Sequence, residues 1–278
     1  MPHITHDAVT LNYEIHGTGE RTPLVLTHCL AGHLGLWSDN LAALSRQRRV
    51  LVWDCRGHGQ SSVPEDASAY GITRSAQDLK ALLDALKIDR AHIGGLSMGG
   101  GISACFAILF PAHTQSLMVM DSNTAAGLTP TAAVRQSRQM TIASCLAAKS
   151  EAHRQAVVTQ FIADNPSYRV WHESQLAAPS PDHPVYKAIA GTSPVGLGHT
   201  VSCMLDSDFP VERVSEIAMP TMVLAGTQDP GMKAVKITHE RIAHSRLTLI
   251  DNAGHLSNFD QPRAFENAVL AFLADVER

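Results

Sequence analysis

The sequence predicts an α/β fold: a mostly parallel central sheet with helices on both faces and an inserted helical segment. Three observations predict it. Short apolar runs alternate with runs of helical period over the first 121 residues and again near the end of the chain. A serine flanked by glycines, Gly95 to Gly99, stands between an apolar run and a helix-like run. The stretch between the two alternating parts contains alanine-rich helical sequence without clear buried strands.

The first part of the chain reads as strands separated by helices. Val9–His16 alternates and predicts an opening strand, followed by a turn at residues 17–19. Helical spacing of Ile72, Ala76, Leu79, Leu82, Leu83 and Leu86 predicts one helix, and residues 102–110 predict another that ends near Pro111. The remaining strands are predicted at Leu24–Thr27, Val50–Asp54, Ala91–Gly94 and Ser116–Asp121.

The alternation stops after Asp121 and resumes at Pro220. Helical stretches at Ala132–Ala148 and Glu151–Ala163 precede a segment with four prolines, residues 178–194. We therefore expect residues 126–212 to form a helical lid (cap) domain over the carboxyl ends of the strands, and residues 1–125 and 213–278 to form the core. The core is expected to close with strands at Thr221–Gly226 and Arg246–Ile250 and a helix at Ala264–Val276.

Gly95-Leu96-Ser97-Met98-Gly99 fits a nucleophile elbow. In such a strand-turn-helix the serine Oγ is held where it can attack an acyl carbon, and the flanking glycines leave room for a strained turn. The N–H of Met98, at the start of the helix, is placed to stabilise an oxyanion. A second donor is expected upstream, from the N–H of Leu30 in the loop after the strand Leu24–Thr27.

An acid and a base follow in the chain order that this arrangement requires. Asp229 stands just past the predicted strand Thr221–Gly226, and His255 follows the strand Arg246–Ile250. His255 is expected to take the proton of Ser97, and Asp229 to hold the imidazole tautomer. Asp121, just past the strand after the elbow, is the alternative acid.

With these motifs the chain resembles the α/β-hydrolase superfamily over essentially its whole length. The resemblance rests on the elbow, on His28-Cys29-Leu30, on Asp54 to Ser61, on Ala225 to Asp229 and on Gly254-His255. Residues 253–262 are similar to the 3-oxoadipate enol-lactonase group. Cys29 departs from the family pattern, which usually has glycine there, and its side chain narrows the approach to Ser97.

Substrate choice is expected to depend on the lid. The candidate substrate-binding side chains are His33, Trp37, Arg135, Arg138 and Trp171. Arg135 and Arg138 share a helix face, and a guanidinium can bind a substrate carboxylate through two parallel hydrogen bonds. The alternative for the two arginines is a solvated helix face, and for the tryptophans it is the hydrophobic core.

Composition excludes several other classes of function. The 278 residues carry a net charge of −4, so they lack the basic footprint of a nucleic-acid-binding protein. No apolar run approaches the ~20 residues of a membrane span, and no signal peptide is visible. Five cysteines without a C-x-x-C pair predict a reducing, cytoplasmic location, and 15 histidines without ligand spacing predict no metal and no cofactor.

These observations predict a cofactor-free serine hydrolase that acts on a small ester or lactone through an acyl-enzyme. A C–C bond hydrolase of ring-cleavage products uses the same machinery and stays open. So do two alternatives from other classes: a cofactor-independent oxygenase or lyase, and a ligand receptor that keeps the hydrolase fold. The sequence does not indicate an oligomeric state.

Overall fold

The computed structural model describes residues 2–124, 130–172, 174–190 and 192–278. Its strands are β1 (His3–His6), β2 (Val9–Thr27), β3 (Arg48–Trp53), β4 (Ala91–Leu96), β5 (Thr114–Met120), β6 (Val170–His172), β7 (Gln175–Ala177), β8 (Thr221–Gly226) and β9 (Arg246–Ile250). Its α-helices are α1 (Ser38–Leu44), α2 (Ile72–Ala85), α3 (Met98–Leu109), α4 (Ala132–Ala147), α5 (Glu151–Asp164), α6 (Pro184–Ala190), α7 (Pro194–Leu205), α8 (Met232–Arg241), α9 (Ser257–Asp260) and α10 (Pro262–Val276).

A seven-stranded sheet organises the fold, in the order β1-β2-β4-β5-β8-β9 with β3 paired to β2. Among the described strands of this sheet, β1 pairs antiparallel along its whole length, and the pairs β4–β5, β5–β8 and β8–β9 are parallel. Parallel strands bring their carboxyl ends to one edge of the sheet, which is where open α/β sheets hold their ligands. The predicted mostly parallel sheet is therefore confirmed.

The opening strand differs from its prediction. The expected strand, turn and second strand form one continuous strand, β2. Its first half pairs with β3 in reverse order, from Tyr13 opposite Trp53 to His16 opposite Val50. Its second half pairs with the same residues in forward order, from Leu24 opposite Val50. The chain therefore passes round the start of β3 at residues 17–19 without leaving the sheet.

Helices cover both faces of the sheet because the strand residues alternate. Leu24 and Leu26 pack in one hydrophobic cluster with residues of α1 and α10, such as Leu44 and Phe265. Val25, between them, packs in a second cluster with residues of α2 and α3. This period of two is the physical reason that a sheet buried on both faces has separate apolar clusters on each face.

The chain between β5 and β8 carries α4 to α7, and we call this segment the insert. It also contains a short antiparallel hairpin, β6–β7, in place of the purely helical structure that was expected. Gly198 on α7 lets α4 approach closely, since a Cβ there would lie 3.0 Å from the Cβ of Cys145. Residues 126–129 of the predicted lid lie outside the described part of the chain.

No helix in the described part of the chain has the length and apolar character that crossing a membrane requires.

Candidate active site

Ser97 lies in a sharp turn between β4 and α3. Its backbone angles, φ 57° and ψ −117°, belong to a region that residues other than glycine rarely adopt. The N–H of Ser97 donates to the Met120 carbonyl at 2.9 Å, and its own carbonyl accepts from the Gly100 N–H at 2.9 Å and from the Ser122 hydroxyl. These bonds hold the strained turn in place.

The two glycines of the elbow are required by close packing. A Cβ at Gly95 would lie 2.3 Å from the carbonyl of Gly99. A Cβ at Gly99 would lie 2.2 Å from the carbonyl oxygen of Thr27, at the end of β2. Neither separation is compatible with a side chain, so glycine lets the elbow lie directly against the neighbouring strand.

His255 stands between Ser97 and Asp229. Its Nε2 lies 2.8 Å from Ser97 Oγ, and its Nδ1 lies 3.0 Å from Asp229 Oδ2. The carboxylate of Asp229 is buried, and its other oxygen accepts from the Gly231 N–H at 2.6 Å. A carboxylate can only accept, so Nδ1 carries the proton and Nε2 is free to accept the proton of Ser97.

The surroundings of His255 favour its charged form. Burial by itself lowers the pKa of His255, because a dry site disfavours the imidazolium. The hydrogen bond with Asp229 and the negative charges of Asp229 and Asp121 outweigh burial, so the net pKa of His255 is raised. The site therefore stabilises the ring after it accepts a proton.

Asp121, the alternative acid, bonds to the two loops that flank the imidazole. Its Oδ1 accepts from the Gly226 N–H at 2.9 Å, and its Oδ2 accepts from both the N–H and the hydroxyl of Ser257. Gly226 precedes the loop of Asp229, and Ser257 follows His255 by two residues. Burial, with the charge of Asp229, raises the pKa of Asp121 to about 7. In the described part of the chain, the carboxylate bonded to the imidazole is that of Asp229.

The sequence predicts the backbone N–H groups of Met98 and Leu30 as oxyanion donors, and both belong to segments that meet at the elbow. Met98 begins α3, so its N–H has no acceptor within the helix. Leu30 lies in the loop after β2, and β2 places Thr27 opposite Gly95 of β4. The loop of Leu30 therefore begins beside the elbow.

His28 orders the loop that carries Leu30. Its Nδ1 donates to the Cys29 carbonyl at 2.7 Å, and its Nε2 accepts from the Cys55 N–H at 3.0 Å. Burial, reinforced by the neighbouring His58, lowers the pKa of His28 well below its ordinary value, so the ring is neutral. Burial also raises the pKa of the Cys29 thiol to about 12, so Cys29 is a packing residue rather than a nucleophile.

Two of the predicted substrate-binding side chains have partners elsewhere in the fold. Trp37 is fully buried, and its ring centroid lies 6.3 Å from that of Phe265 on α10. This packing fits the alternative of a core residue, and a role for Trp37 in substrate binding stays a prediction. Arg135 pairs with Asp206 at 3.1 Å on the surface, with 41 % of its side chain exposed. The pair fits the alternative of a solvated helix face, and a role for Arg135 in substrate binding stays a prediction.

The other three candidates are partly buried. The guanidinium of Arg138 forms no ion pair with the described residues, and burial lowers the pKa of Arg138. His33 Nδ1 accepts from the Gly35 N–H at 3.0 Å and so caps a short helical turn. The N–H of Trp171, on β6, donates to Asp260 at 2.7 Å. A role in substrate binding stays a prediction for these three.

Sequence reasoning missed the bonds that join the insert to the loops of Leu30 and His255. Asp260 accepts from the N–H of Trp171 on the insert and from the N–H of Gly254, next to His255, each at 2.7 Å. The hydroxyl of Tyr168 donates to the Leu30 carbonyl at 2.8 Å. These partners are 89 and 138 residues apart along the chain, and no local pattern links them.

Known proteins share this architecture. The family model of the alpha/beta hydrolase fold matches residues 22–262. The chain is 30% identical over 274 residues to 3-oxoadipate enol-lactonase 2 of Acinetobacter baylyi, covering 97% of this chain and 95% of that protein. Among solved structures, a hydrolase from Pseudomonas aeruginosa matches at a TM-score of 0.82 with 31% identity, covering 98% of this chain and 97% of that one. The enol-lactonase from Burkholderia xenovorans matches at 0.81 with 25% identity, covering 98% and 100%. The chain therefore belongs to the α/β hydrolase fold family.

Proposed function

We propose that this protein is a cofactor-free serine hydrolase that cleaves a small ester or lactone through an acyl-enzyme. The observation that carries the proposal is the unbroken chain of hydrogen bonds from Ser97 Oγ through His255 to Asp229, at 2.8 and 3.0 Å. A nucleophile, a base and a group that orients the base are the three parts that nucleophilic acyl transfer needs.

The reaction follows from the direction of these bonds. His255 Nε2 takes the proton of Ser97 as Oγ forms a bond to the acyl carbon. The tetrahedral intermediate then collapses, the bond to the leaving oxygen breaks, and His255 returns the proton to that oxygen. Water, deprotonated by the same imidazole, attacks the acyl-enzyme and releases the acid and Ser97. A lactone yields one hydroxy acid, since its leaving oxygen stays attached to the acyl chain.

The oxyanion of the intermediate is held by the N–H groups of Leu30 and Met98. Both groups belong to backbone that is already ordered, so they need no rearrangement as charge develops. Removing one such donor costs on the order of 10²–10³ in rate. A backbone donor also explains how the site tolerates Cys29, because the side chain at that position takes no part in donation.

Within the insert, residues 126–212 are the proposed lid. Two hydrogen bonds support this role: Tyr168 bonds to the Leu30 carbonyl, and Trp171 bonds to Asp260, which also accepts from Gly254 beside His255. His33, Arg138 and Trp171 are the proposed substrate contacts. A lactone is favoured over an open ester because two relatives, at 30% and 28% identity, and one solved structure, at 25% identity, are named enol-lactonases.

Turnover of p-nitrophenyl acetate and of small γ- and δ-lactones tests the proposal. We expect the wild type to hydrolyse them and Ser97→Ala to lose nearly all activity. Ser103→Ala is the matched control, because Ser103 lies on α3, the helix that follows Ser97, is fully buried and has no hydrogen-bond partner among the described residues. An acyl group on Ser97, seen by mass spectrometry with a slow ester, distinguishes acyl transfer from oxygenase or lyase chemistry. Turnover that survives Ser97→Ala would refute the proposal, and absence of any turnover would favour a receptor.

A further inference from the structure

The loop that carries the Leu30 N–H is held from two sides. On the core side, the Cys29 carbonyl accepts from His28 Nδ1 at 2.7 Å and from the Gly32 N–H at 3.0 Å. That carbonyl belongs to the same planar peptide unit as the Leu30 N–H, so these two bonds set the direction of the donor.

On the other side, the insert holds the next two peptide units. The Tyr168 hydroxyl donates to the Leu30 carbonyl at 2.8 Å, and the Thr192 hydroxyl donates to the Ala31 carbonyl. Both side chains are buried, at 3% and 5% exposure. Ala31 has a φ of 59°, a left-handed conformation that costs an alanine about 1–2 kcal/mol. The loop therefore holds a strained residue, and side chains of the insert bond to the peptide units on either side of it.

We propose that Tyr168 and Thr192 are positioning residues that complete the oxyanion hole from the lid. The proposal rests on the proposed function, since it assigns the Leu30 N–H to the oxyanion. With the peptide units on both sides of Leu30 hydrogen-bonded, rotation about its two backbone torsions is blocked. Without the lid bonds, Ala31 is free to relax and to turn the Leu30 peptide unit with it. Transition-state stabilisation thereby depends on the docked lid, while substrate still binds to the rest of the site.

The ring of Tyr168 and its hydroxyl are separable. The ring packs against Phe161, with centroids 5.5 Å apart, and this contact holds the insert together. Tyr168→Phe keeps that packing and removes only the bond to the Leu30 carbonyl. Thr192→Val removes the neighbouring bond by an independent route. Tyr186→Phe is the matched control, because its hydroxyl bonds to Thr159 within the insert and has no hydrogen bond to the Leu30 loop among the described residues.

The experiment compares kcat, KM and the affinity of an alkyl boronic acid, whose tetrahedral adduct places an oxygen in the oxyanion hole. We expect Tyr168→Phe and Thr192→Val each to lower kcat roughly 10-fold, less than the 10²–10³ of losing a donor outright, with KM within twofold of the wild type. Boronate affinity should fall by the same factor. Tyr186→Phe should match the wild type in all three measurements.

The results separate this inference from the proposed function. If wild-type turnover does not need Ser97, the proposed function fails and the inference fails with it. If turnover needs Ser97 but both variants keep wild-type kcat and boronate affinity, the inference alone is overturned. A loss of melting temperature with unchanged kcat also overturns it, because that marks a purely structural role. If Tyr168→Phe fails to fold, Thr192→Val decides by the same criteria.

Discussion

Replacing Asp229 by asparagine tests which carboxylate orients the base. The structure dictates how the amide would sit. The Gly231 N–H, 2.6 Å from Asp229 Oδ1, needs an acceptor, so the amide oxygen takes that place. The NH₂ group then faces His255 Nδ1, at the 3.0 Å now occupied by Oδ2. A donor there forces Nδ1 to accept, so the proton moves to Nε2 and points at Ser97 Oγ.

The expected loss of kcat in Asp229→Asn follows from this change of tautomer. An Nε2–H imidazole cannot take the serine proton, and the change that produces it costs about 10⁴ in kcat, or about 5.5 kcal/mol in the barrier. The loss should exceed that of any single oxyanion donor. Substrate affinity should change little, because Asp229 is buried behind the imidazole.

Asp121→Asn is the matched control. It removes the same charge from a buried carboxylate that also influences the pKa of His255, but it leaves the Nδ1 bond intact. Steady-state kcat and KM on p-nitrophenyl acetate, with both variants checked for folding, provide the measurement. We expect Asp121→Asn to keep at least a tenth of the wild-type kcat. If Asp229→Asn retains more activity than Asp121→Asn, Asp121 is the functional acid and the tautomer argument is refuted.

Three further predictions concern stability and packing. A pKa of about 7 in Asp121 means that the folded state binds a proton there more tightly than the unfolded chain does. The protonated carboxyl therefore adds to the free energy of unfolding in full below pH 4, and this addition is lost as pH rises through 7. The unfolding free energy of Asp121→Asn minus that of the wild type, measured by urea titration, should therefore rise by up to about 4 kcal/mol between pH 4 and 8. A difference that does not change with pH would contradict the burial argument. The bonds of Glu277 to Arg48 and His92 outweigh the effect of burial and lower the pKa of Glu277 to about 2. Their contribution to the free energy of unfolding is therefore present above pH 4.5 and lost as pH falls towards 2. Glu277→Gln should cost about 3 kcal/mol at pH 7, and an unchanged urea midpoint at pH 7 would show that the ion pair adds nothing. Gly99→Ala should lower both the melting temperature and kcat, whereas Gly101→Ala, whose Cβ has no neighbour closer than 4.0 Å, should leave both unchanged. Equal effects of the two substitutions would mean that the close contact of Gly99 with Thr27 is not what requires glycine.

Much of the core could be predicted because its signals are local. The strands β8 and β9 have the bounds that the apolar runs indicated, and α10 begins two residues earlier than expected. Period and turn residues suffice for such elements, since the free energy that selects them acts over a few residues. The β6–β7 hairpin escaped prediction because three-residue strands carry too short a pattern.

The side chains around the site were harder to predict. Trp37 and Trp171 look alike in the sequence, yet one is fully buried in the core and the other lies partly exposed on the insert. Arg135 and Arg138 share a helix face. Among the described residues, Arg135 pairs with the carboxylate of Asp206 at the end of α7, and Arg138 pairs with none. The burial and the partners of these side chains depend on which segment, distant in sequence, packs against them, and the neighbouring residues in the sequence do not indicate that segment.

By itself, the sequence determined the class of fold and the order of a serine, an acid and a histidine along the chain. It could do so because the elbow and the strand ends have short local sequence patterns, and these patterns follow one another in a fixed order in this fold. It left two aspartates as candidates for the acid. Only the tertiary structure placed Asp229 against the imidazole and Asp121 against the two loops, and only it brought Tyr168 to the Leu30 carbonyl. The physical reason is that a hydrogen bond is decided within a few tenths of an ångström, and packing between segments 25 to 140 residues apart sets that distance.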